Sequence, residues 1–128
     1  MKPKIYIDGK DGTTGLQIYD RLAARDDIDL LLIDEDKRKD PAERKKLMAA
    51  ADIVFLCLPD AAAVEAVALA VGTNARIIDA STAHRTAPGW VYGFPELQPG
   101  QRKAIAEAKY VANPGCHATG FISIAAPL

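Results

Sequence analysis

Residues 4–16 read KIYIDGKDGTTGL, a short apolar run followed by a turn with three glycines. The run Lys4–Asp8 predicts a β-strand. Apolar residues then recur with the spacing of one helix face, at Leu16, Tyr19, Leu22 and Ala23. This spacing predicts a helix over residues 14–25. A strand, a glycine turn and a helix in this order indicate the first part of a βαβ unit in a parallel sheet.

The rest of the chain repeats this alternation of strands and helices. Apolar runs predict further strands at residues 30–33, 53–58, 77–79 and 110–112, and we expect the first two to be covered on both faces. Helices are predicted to begin at Pro41, capped by Asp40, and to occupy residues 60–71 (capped by Asp60), 99–108 and 116–126. The pattern predicts an α/β fold, a Rossmann-like doubly wound and mainly parallel sheet with helices on both faces.

Length and composition indicate one domain with a hydrophobic core. The chain has 128 residues, 49% of them hydrophobic, and its 16 Lys and Arg residues nearly balance 17 Asp and Glu residues. This balance excludes a chain-wide polycation of the kind that binds nucleic acid non-specifically. No apolar run approaches the roughly 20 residues that span a membrane, and the two cysteines lack metal-ligand spacing. We expect a cytoplasmic protein that contacts neither nucleic acid nor membrane and holds no metal.

The glycines of the first turn have the arrangement of a nucleotide-binding loop. Gly9, Gly12 and Gly15 are spaced by three residues between a strand and a helix. Such a turn lets the backbone approach a pyrophosphate and directs the free N–H groups of the helix at it. Thr13 and Thr14 add hydroxyl donors. The alternative is a turn that uses glycine only for backbone freedom, but the strand–turn–helix context favours a dinucleotide.

Two groups compete to select the cofactor. Asp34 follows the second strand about 20 residues after Gly15, where an acid usually binds a ribose 2′-hydroxyl and selects NAD. Just beyond it, Lys37-Arg38-Lys39 could pair with a 2′-phosphate and select NADP. The alternative for this run, together with Arg44, Lys45 and Lys46, is a solvated helix face. We predict NADP, with Asp34 and Arg38 as contacts.

A second turn places a cysteine at the start of a helix. Residues 113–120 read NPGCHATG and again join a strand to a helix. A cysteine at a helix N-terminus has its thiolate favoured by the helix dipole, and the neighbouring N–H groups can hold an oxyanion. Pro114 and Gly115 predict a sharp turn that presents the sulfur of Cys116 outward. A buried, packed cysteine is the open alternative for Cys116, and Cys57, inside an apolar run, is predicted to be such a packing residue.

Four motifs taken together resemble one enzyme family. They are GxxGxxG at residues 9–15, IDASTAHR at 78–85, YGFPE at 92–96 and NPGC at 113–116. The set resembles N-acetyl-γ-glutamyl-phosphate reductases, in particular the shorter-chain class of arginine biosynthesis, and the likeness runs along the entire chain. Aspartate-semialdehyde dehydrogenase, which shares the chemistry, is the alternative enzyme. A non-catalytic nucleotide-binding or redox-sensing module is the alternative from another class.

The resemblance implies a small-molecule acyl-phosphate substrate and a covalent mechanism. The Cys116 thiolate would attack the acyl phosphate, release phosphate and form a thioester, which NADPH reduces to N-acetylglutamate 5-semialdehyde. Arg85 is a candidate for binding the substrate's phosphate or carboxylate, with an exposed loop arginine as the alternative. Asn113 would orient substrate or only fix the turn. Ser81, just after the fourth strand, is expected to contact the nicotinamide side of the cofactor.

The sequence departs from the family in two respects. The family's tyrosine after the cysteine is His117 here, and because adjacent helical residues diverge by about 100° we expect it to take the tyrosine's packing role rather than act as a base. His84, in a loop, is a weaker candidate. The family's acid–base histidine lies in a second domain for substrate and dimerisation, which residues 1–128 lack. We therefore expect an inactive N-terminal portion, ending just after Cys116, of a longer homo-oligomeric protein.

Overall fold

The computed structural model describes residues 2–127, and the expectations that concern residues 1 and 128 lie outside it. Its strands are β1 (Lys4–Asp8), β2 (Asp29–Leu31), β3 (Ile53–Leu56), β4 (Arg76–Asp79), β5 (Val91–Tyr92) and β6 (Tyr110–Ala112). Its helices are α1 (Thr13–Ala23), α2 (Pro41–Ala50), α3 (Asp60–Ala70), α4 (Gln101–Glu107) and α5 (Cys116–Ala125), with a short 3₁₀ turn at Glu35–Lys37.

The strands form one parallel sheet in the order β2-β1-β3-β4-β6-β5. The predicted doubly wound, Rossmann-like fold is confirmed. The chain reverses its direction across the sheet between β1 and β3, and a crevice opens where the carboxyl ends of these two strands diverge. Asp8 and Leu56 are paired at those ends. The turn of residues 9–15 therefore leaves the sheet directly into this crevice.

The core lies between the central strands and the helices α2 and α3. Its largest fully buried side chains come from β1, α2, β3 and β4: Tyr6, Met48, Val54, Leu56, Ile77 and Asp79. The buried face of α3 consists of alanines, at positions 63, 66 and 70. Small side chains on that face let the helix pack closely on its neighbours. Burial of this apolar surface is the main force that holds the sheet and helices together.

The second strand corrects the prediction of a run covered on both faces. β2 ends at Leu31 and lies at the edge of the sheet, where it pairs with β1 alone. Leu32, inside the predicted strand, is 57% exposed. A run of apolar residues has the same appearance in a central strand and at an edge, and only the order of strands separates the two cases.

Helix boundaries follow the prediction in part. The Asp40 carboxylate accepts a hydrogen bond from Ala42 N at 3.0 Å, which confirms the predicted cap of α2. Asp60 is the first residue of α3 and not its cap, because Pro59 occupies the cap position and the Asp60 carboxylate binds Thr82 instead. In α1, Leu16 is half exposed although the predicted apolar face contains it.

Candidate active site

The glycine turn after β1 is closed by contacts that exclude side chains. Gly9 has φ +87°, a conformation that favours glycine. A Cβ there would lie 2.3 Å from the carbonyl oxygen of Cys57, and a Cβ on Gly15 would lie 2.1 Å from the carbonyl oxygen of Gly9. Gly12 N donates to Gly9 O at 3.1 Å. Within residues 2–127 no side chain caps α1, so N–H groups of its first turn are free to bind an anion.

A cleft of about 420 Å³ lies beside this turn. Its lining is partly apolar and partly charged. The apolar residues include Tyr19, Leu30, Leu31, Leu32, Ile33 and Leu58, the basic ones are Lys10, Arg38, Lys39 and Arg44, and the acidic ones are Asp8, Asp11 and Glu35. The apolar part suits an adenine ring, and the cations suit phosphate groups. The cleft therefore fits the adenosine half of a dinucleotide.

Of the two residues predicted to contact the cofactor, the structure places Arg38 at the cleft and Asp34 outside its lining. Arg38 lines the cleft and forms an ion pair with Asp11 of the glycine turn, in which both side chains are about half exposed. Asp34 is exposed, begins the 3₁₀ turn and is not among the described residues that line the cleft. A half-exposed ion pair contributes little stability, so a phosphate can replace Asp11 as the partner of Arg38. The geometry favours Arg38 over Asp34 as a contact.

Arg44 corrects the interpretation of the basic run as a solvated face. Its side chain is 14% exposed, and Nη2 donates to Asp8 Oδ2 at 2.6 Å, with Asp8 only 5% exposed. The Tyr6 hydroxyl donates to the other carboxylate oxygen at 3.3 Å. Burial, and then the charge of Asp8, raise the pKa of Tyr6 well above its usual value. Sequence reasoning missed this buried cluster, although an aspartate that ends a buried strand requires a partner.

Cys57 lies at the edge of the cleft and not in the core. It follows β3, is half buried, and lines the same cleft as the glycine turn. Burial raises the pKa of its thiol to about 11, and the charges of Asp8 and Asp79 act in the same direction. Since the thiolate is the reactive form, this raised pKa disfavours reaction of Cys57 at neutral pH. The prediction of an unreactive cysteine agrees with this environment, but its place in the core was wrong.

Cys116 is exposed and is the first residue of α5. Gly115 occupies the cap position in extended conformation, and within the described part of the chain no side chain caps this helix. Asn113 N donates to Asp79 O at 2.8 Å, which fixes the start of the turn to the end of β4. The sulfur therefore lies at the protein surface beside N–H groups that are free to bind an oxyanion.

A second cleft, of about 500 Å³, surrounds this cysteine. It is lined by residues from two loops and two helix starts: Thr14, Ala80, Arg85, Asn113, Pro114, Gly115, Cys116, His117 and Ala118. Thr14 belongs to the first turn of the helix that follows the glycines. The glycine motif and the cysteine motif, 100 residues apart in the sequence, thus meet at one cleft.

Arg85 lies directly against the cysteine turn. Its Nε donates to Asn113 O at 3.1 Å. A Cβ on Gly115 would lie 2.6 Å from Arg85 Nη1, so the guanidinium needs a glycine at that position to approach so closely. The Asn113 side chain donates to Pro114 O at 3.3 Å. The predicted substrate residues Arg85 and Asn113 are therefore in contact with each other and share the cleft with Cys116.

Ser81 and His84 both bind the buried carboxylate of Asp79. The backbone N–H and the hydroxyl of Ser81 donate to its two oxygens, each at 2.9 Å. His84 Nδ1 lies 2.5 Å from Asp79 Oδ2, and its ring stacks on Trp90 with 4.2 Å between centroids. Ser81 is outside the described linings of both clefts, whereas the adjacent Ala80 lines the second. Sequence reasoning missed Asp79 altogether.

The expectation that His117 packs as the family's tyrosine would stays a prediction, since within residues 2–127 no side chain covers it. It is exposed and lines the second cleft beside Cys116. The reason is its position in the first turn of α5, where no preceding helical turn covers either side chain. Adjacent residues can therefore reach one open cleft despite pointing in different directions.

Among residues 2–127, the helices are all too short or too polar to cross a membrane. The same residues contain no group of three or more histidine, cysteine, aspartate and glutamate side chains arranged to hold a metal ion.

Comparison with known proteins gives consistent results. The family model described as the semialdehyde dehydrogenase NAD-binding domain matches residues 33–108. An N-acetyl-gamma-glutamyl-phosphate reductase from Trichormus variabilis is 61% identical over 127 residues, covering 99% of this chain and 39% of the relative. One from Brucella ovis is 58% identical, covering 100% of this chain and 42% of the relative. The chain thus spans about two-fifths of the length of these curated relatives.

Solved structures show the same fold. Aspartate semialdehyde dehydrogenase II from Vibrio cholerae, in complex with ASA, superposes with a TM-score of 0.68 at 16% identity, over 91% of this chain and 43% of that one. The aspartate semialdehyde dehydrogenase from Francisella tularensis gives a TM-score of 0.65 at 17% identity, over 90% and 36%. At such identities the likeness concerns the fold alone.

Proposed function

This chain belongs to the semialdehyde dehydrogenase NAD-binding domain family, and we propose that it is the cofactor-binding and nucleophile-bearing part of an NADPH-dependent N-acetyl-γ-glutamyl-phosphate reductase of arginine biosynthesis. The proposal is supported by the high identity to enzymes of that name. Because the chain spans about two-fifths of those enzymes, we assign the acid–base histidine, the rest of the pocket and the homo-oligomer contacts to a second domain beyond these residues.

The observation that carries the proposal is the set of groups around the exposed Cys116. Its thiolate attacks the acyl carbon of the substrate, the bond from that carbon to the phosphate oxygen breaks, and a thioester on the sulfur results. Free N–H groups at the start of α5 stabilise the negative carbonyl oxygen during attack. Arg85 binds the phosphate or carboxylate of the substrate through its planar guanidinium, and Asn113 orients the acyl chain. All three residues line one cleft.

The first cleft and the glycine turn fit a nicotinamide dinucleotide, because the turn excludes side chains at Gly9 and Gly15 and leaves the start of α1 uncapped within the described residues. Gly9, Gly12 and Gly15, with Thr13 and Thr14, would hold the diphosphate through N–H and hydroxyl groups. When bound, the dinucleotide supplies the hydride that reduces the thioester to the aldehyde.

The choice of NADP follows from charge at the first cleft. Arg38 would bind the 2′-phosphate, since its present partner Asp11 is half exposed and easily replaced. Asp34 stays a prediction for a ribose hydroxyl, and reaching it would require movement of the 3₁₀ turn. The contact of Ser81 with the nicotinamide side of the cofactor also stays a prediction. The Ser81 hydroxyl is engaged with Asp79, so a cofactor contact would have to use the turn rather than that hydroxyl.

The decisive experiment measures the reverse reaction with the full-length protein. N-acetylglutamate semialdehyde, inorganic phosphate and NADP⁺ are supplied, and the NADPH formed is followed by absorbance. We expect Cys116→Ser to lower kcat by about 10³-fold or more, and the matched variant Cys57→Ser to stay within about threefold of wild type. A Cys116→Ser protein that keeps a tenth of the wild-type rate would overturn the proposal.

A labelling experiment tests the site without turnover. Iodoacetamide is added at pH 7.5 and modified peptides are identified by mass spectrometry. We expect modification of the exposed Cys116, while Cys57, with its pKa raised to about 11 by burial, remains unmodified. The opposite pattern would contradict the assignment of the nucleophile.

A further inference from the structure

The loop of residues 80–85, which follows β4 and contacts the cysteine turn through Arg85, is held by two carboxylates. Asp79 accepts hydrogen bonds from Ser81 and from His84 Nδ1, the latter at 2.5 Å. Asp60, at the start of α3, accepts from Thr82 N at 2.9 Å and also from its hydroxyl. Three of the six loop residues therefore have a polar group held from the adjacent strand or helix.

His84 links this loop, through Trp90, to β6, the strand next to β4 in the sheet. It is buried, with its ring stacked on Trp90 at 4.2 Å between centroids. Trp90 in turn packs on Tyr110 of β6, with 5.0 Å between centroids. The imidazole is thus fixed on its edge by the Asp79 carboxylate and on its face by the indole. A side chain held in two directions leaves its own backbone little freedom.

Arg85 is the next residue along the chain and is the group that needs this rigidity. Its Nε reaches Asn113 O at 3.1 Å, and its guanidinium lies against Gly115. Arginine has many rotatable bonds, so an arginine on a mobile loop loses much conformational entropy when it binds an anion. A fixed loop removes part of that loss before the ligand arrives.

We propose that His84 and Asp79 are positioning residues that hold Arg85 at the cysteine cleft and thereby set its affinity for the anionic group of the substrate. Neither residue is among those that line the cleft, so they act through Arg85. This inference rests on the substrate role proposed for Arg85. Burying a histidine–carboxylate pair costs desolvation that an apolar pair would avoid, and the position of Arg85 is what the pair provides in return.

The test uses the full-length protein and the reverse assay, with KM measured separately for phosphate, semialdehyde and NADP⁺. Arg85→Gln identifies the substrate that Arg85 binds, because it raises that KM. We expect His84→Ala to raise the same KM about tenfold and the KM for NADP⁺ less than about twofold. His84→Asn retains an N–H that can reach Asp79, and we expect it to recover most of the loss.

The double variant separates positioning from general destabilisation. If His84 acts through Arg85, the variant H84A/R85Q has the same KM as R85Q alone. Thr73→Ala serves as the matched control, since it removes another buried hydrogen bond, from the Thr73 hydroxyl to Ala70 O at 2.7 Å, before the amino end of β4 rather than at its carboxyl end. We expect it to lower the unfolding midpoint and leave every KM unchanged.

Three results would overturn the inference. One is an H84A effect that persists in full in the R85Q background, and another is an equal rise in KM for NADP⁺. The third is an R85Q variant whose KM values for phosphate and for the semialdehyde equal those of wild type, which would show that Arg85 binds neither substrate. The reductase assignment would then still be decided separately, by the activity of Cys116→Ser. If H84A does not fold, the exposed variant Thr82→Val loosens the same loop. If Thr82→Val raises the KM of the substrate that Arg85 binds, but has no further effect on that KM in the R85Q background, the result supports the inference. If Thr82→Val leaves that KM unchanged, the result refutes it.

Discussion

The buried pair of Asp8 and Arg44 gives the sharpest prediction about stability. Replacing Arg44 with Met keeps much of the side chain's volume but removes the cation whose Nη2 lies 2.6 Å from Asp8 Oδ2. Asp8 would remain 5% exposed or nearly so, with only the hydrogen bond from Tyr6 at 3.3 Å. Leaving a buried charge without its partner costs about 3–5 kcal/mol, a large part of the 5–15 kcal/mol typical of a domain.

The assay is urea unfolding followed by the fluorescence of Trp90, the chain's one tryptophan, which is stacked on His84 in the folded state. Lys45→Met is the matched control, because Lys45 is exposed on the same helix and surface changes of this kind stay within about 0.5 kcal/mol. Adding Asp8→Asn to the Arg44→Met protein removes the unpaired charge, and we expect at least about half of the lost free energy to return. Equal stability of the two methionine variants would refute the reasoning.

Three other predictions concern the first cleft and its turn. Gly15→Ala places a Cβ 2.1 Å from Gly9 O, and we expect it to lower the free energy of unfolding by about 1–3 kcal/mol and to weaken NADPH binding in a fluorescence titration. Gly12→Ala, whose Cβ would have no neighbour nearer than 3.5 Å, is expected to have smaller effects on stability and on binding. Equal effects of the two variants would contradict the closed turn. Arg38→Ala is expected to raise the KM for NADPH about tenfold or more and that for NADH less than about twofold, and an equal change in both would remove Arg38 from 2′-phosphate binding. Burial raises the pKa of Cys57 from 9.0 to about 11, so the thiol ionises at lower pH in the unfolded chain than in the folded one. The free energy of unfolding therefore falls as the pH rises from 9 to 11, by about 1–2 kcal/mol after allowance for the partial exposure of Cys57. Urea midpoints of wild type and Cys57→Ala at pH 8.5 and 10.5 measure this fall, and an identical fall in both proteins would exclude Cys57 as its source.

The elements whose signals are local could be predicted from the sequence. The strand Lys4–Asp8 ends and the cysteine helix begins at the predicted turns, because a glycine or proline fixes the backbone within a few residues. β5, of only two residues, was not predicted: the alternation of Trp90, Tyr92 and Phe94 indicates packing against the sheet edge, but a run this short does not predict a strand. The edge position of β2 escaped as well, since strand order depends on contacts between distant segments.

The residues of the site likewise divide into those that local sequence signals predict and those that contacts between distant segments position. Nothing local distinguishes Arg44 from Lys45 and Lys46, but the phase of α2 turns Arg44 towards a buried carboxylate and leaves its neighbours in water. Likewise the cluster around Asp79 depends on the loop folding back over the end of β4. The cysteine turn was predictable because its chemistry and its backbone signal lie in the same few residues.

Because every strand of the sheet runs in the same direction, the carboxyl ends of the strands form one rim of the sheet and the amino ends form the other, and the two rims differ in function. In the described part of the chain, the rim at the strands' carboxyl ends carries both clefts, while side chains at the opposite rim connect chain segments: Arg76 Nε donates to Ala108 O at 2.8 Å and Lys109 Nζ to Thr73 O at 3.0 Å. Within residues 2–127, a fluorophore attached at the amino ends of the strands would therefore be separated from both clefts by the length of the sheet.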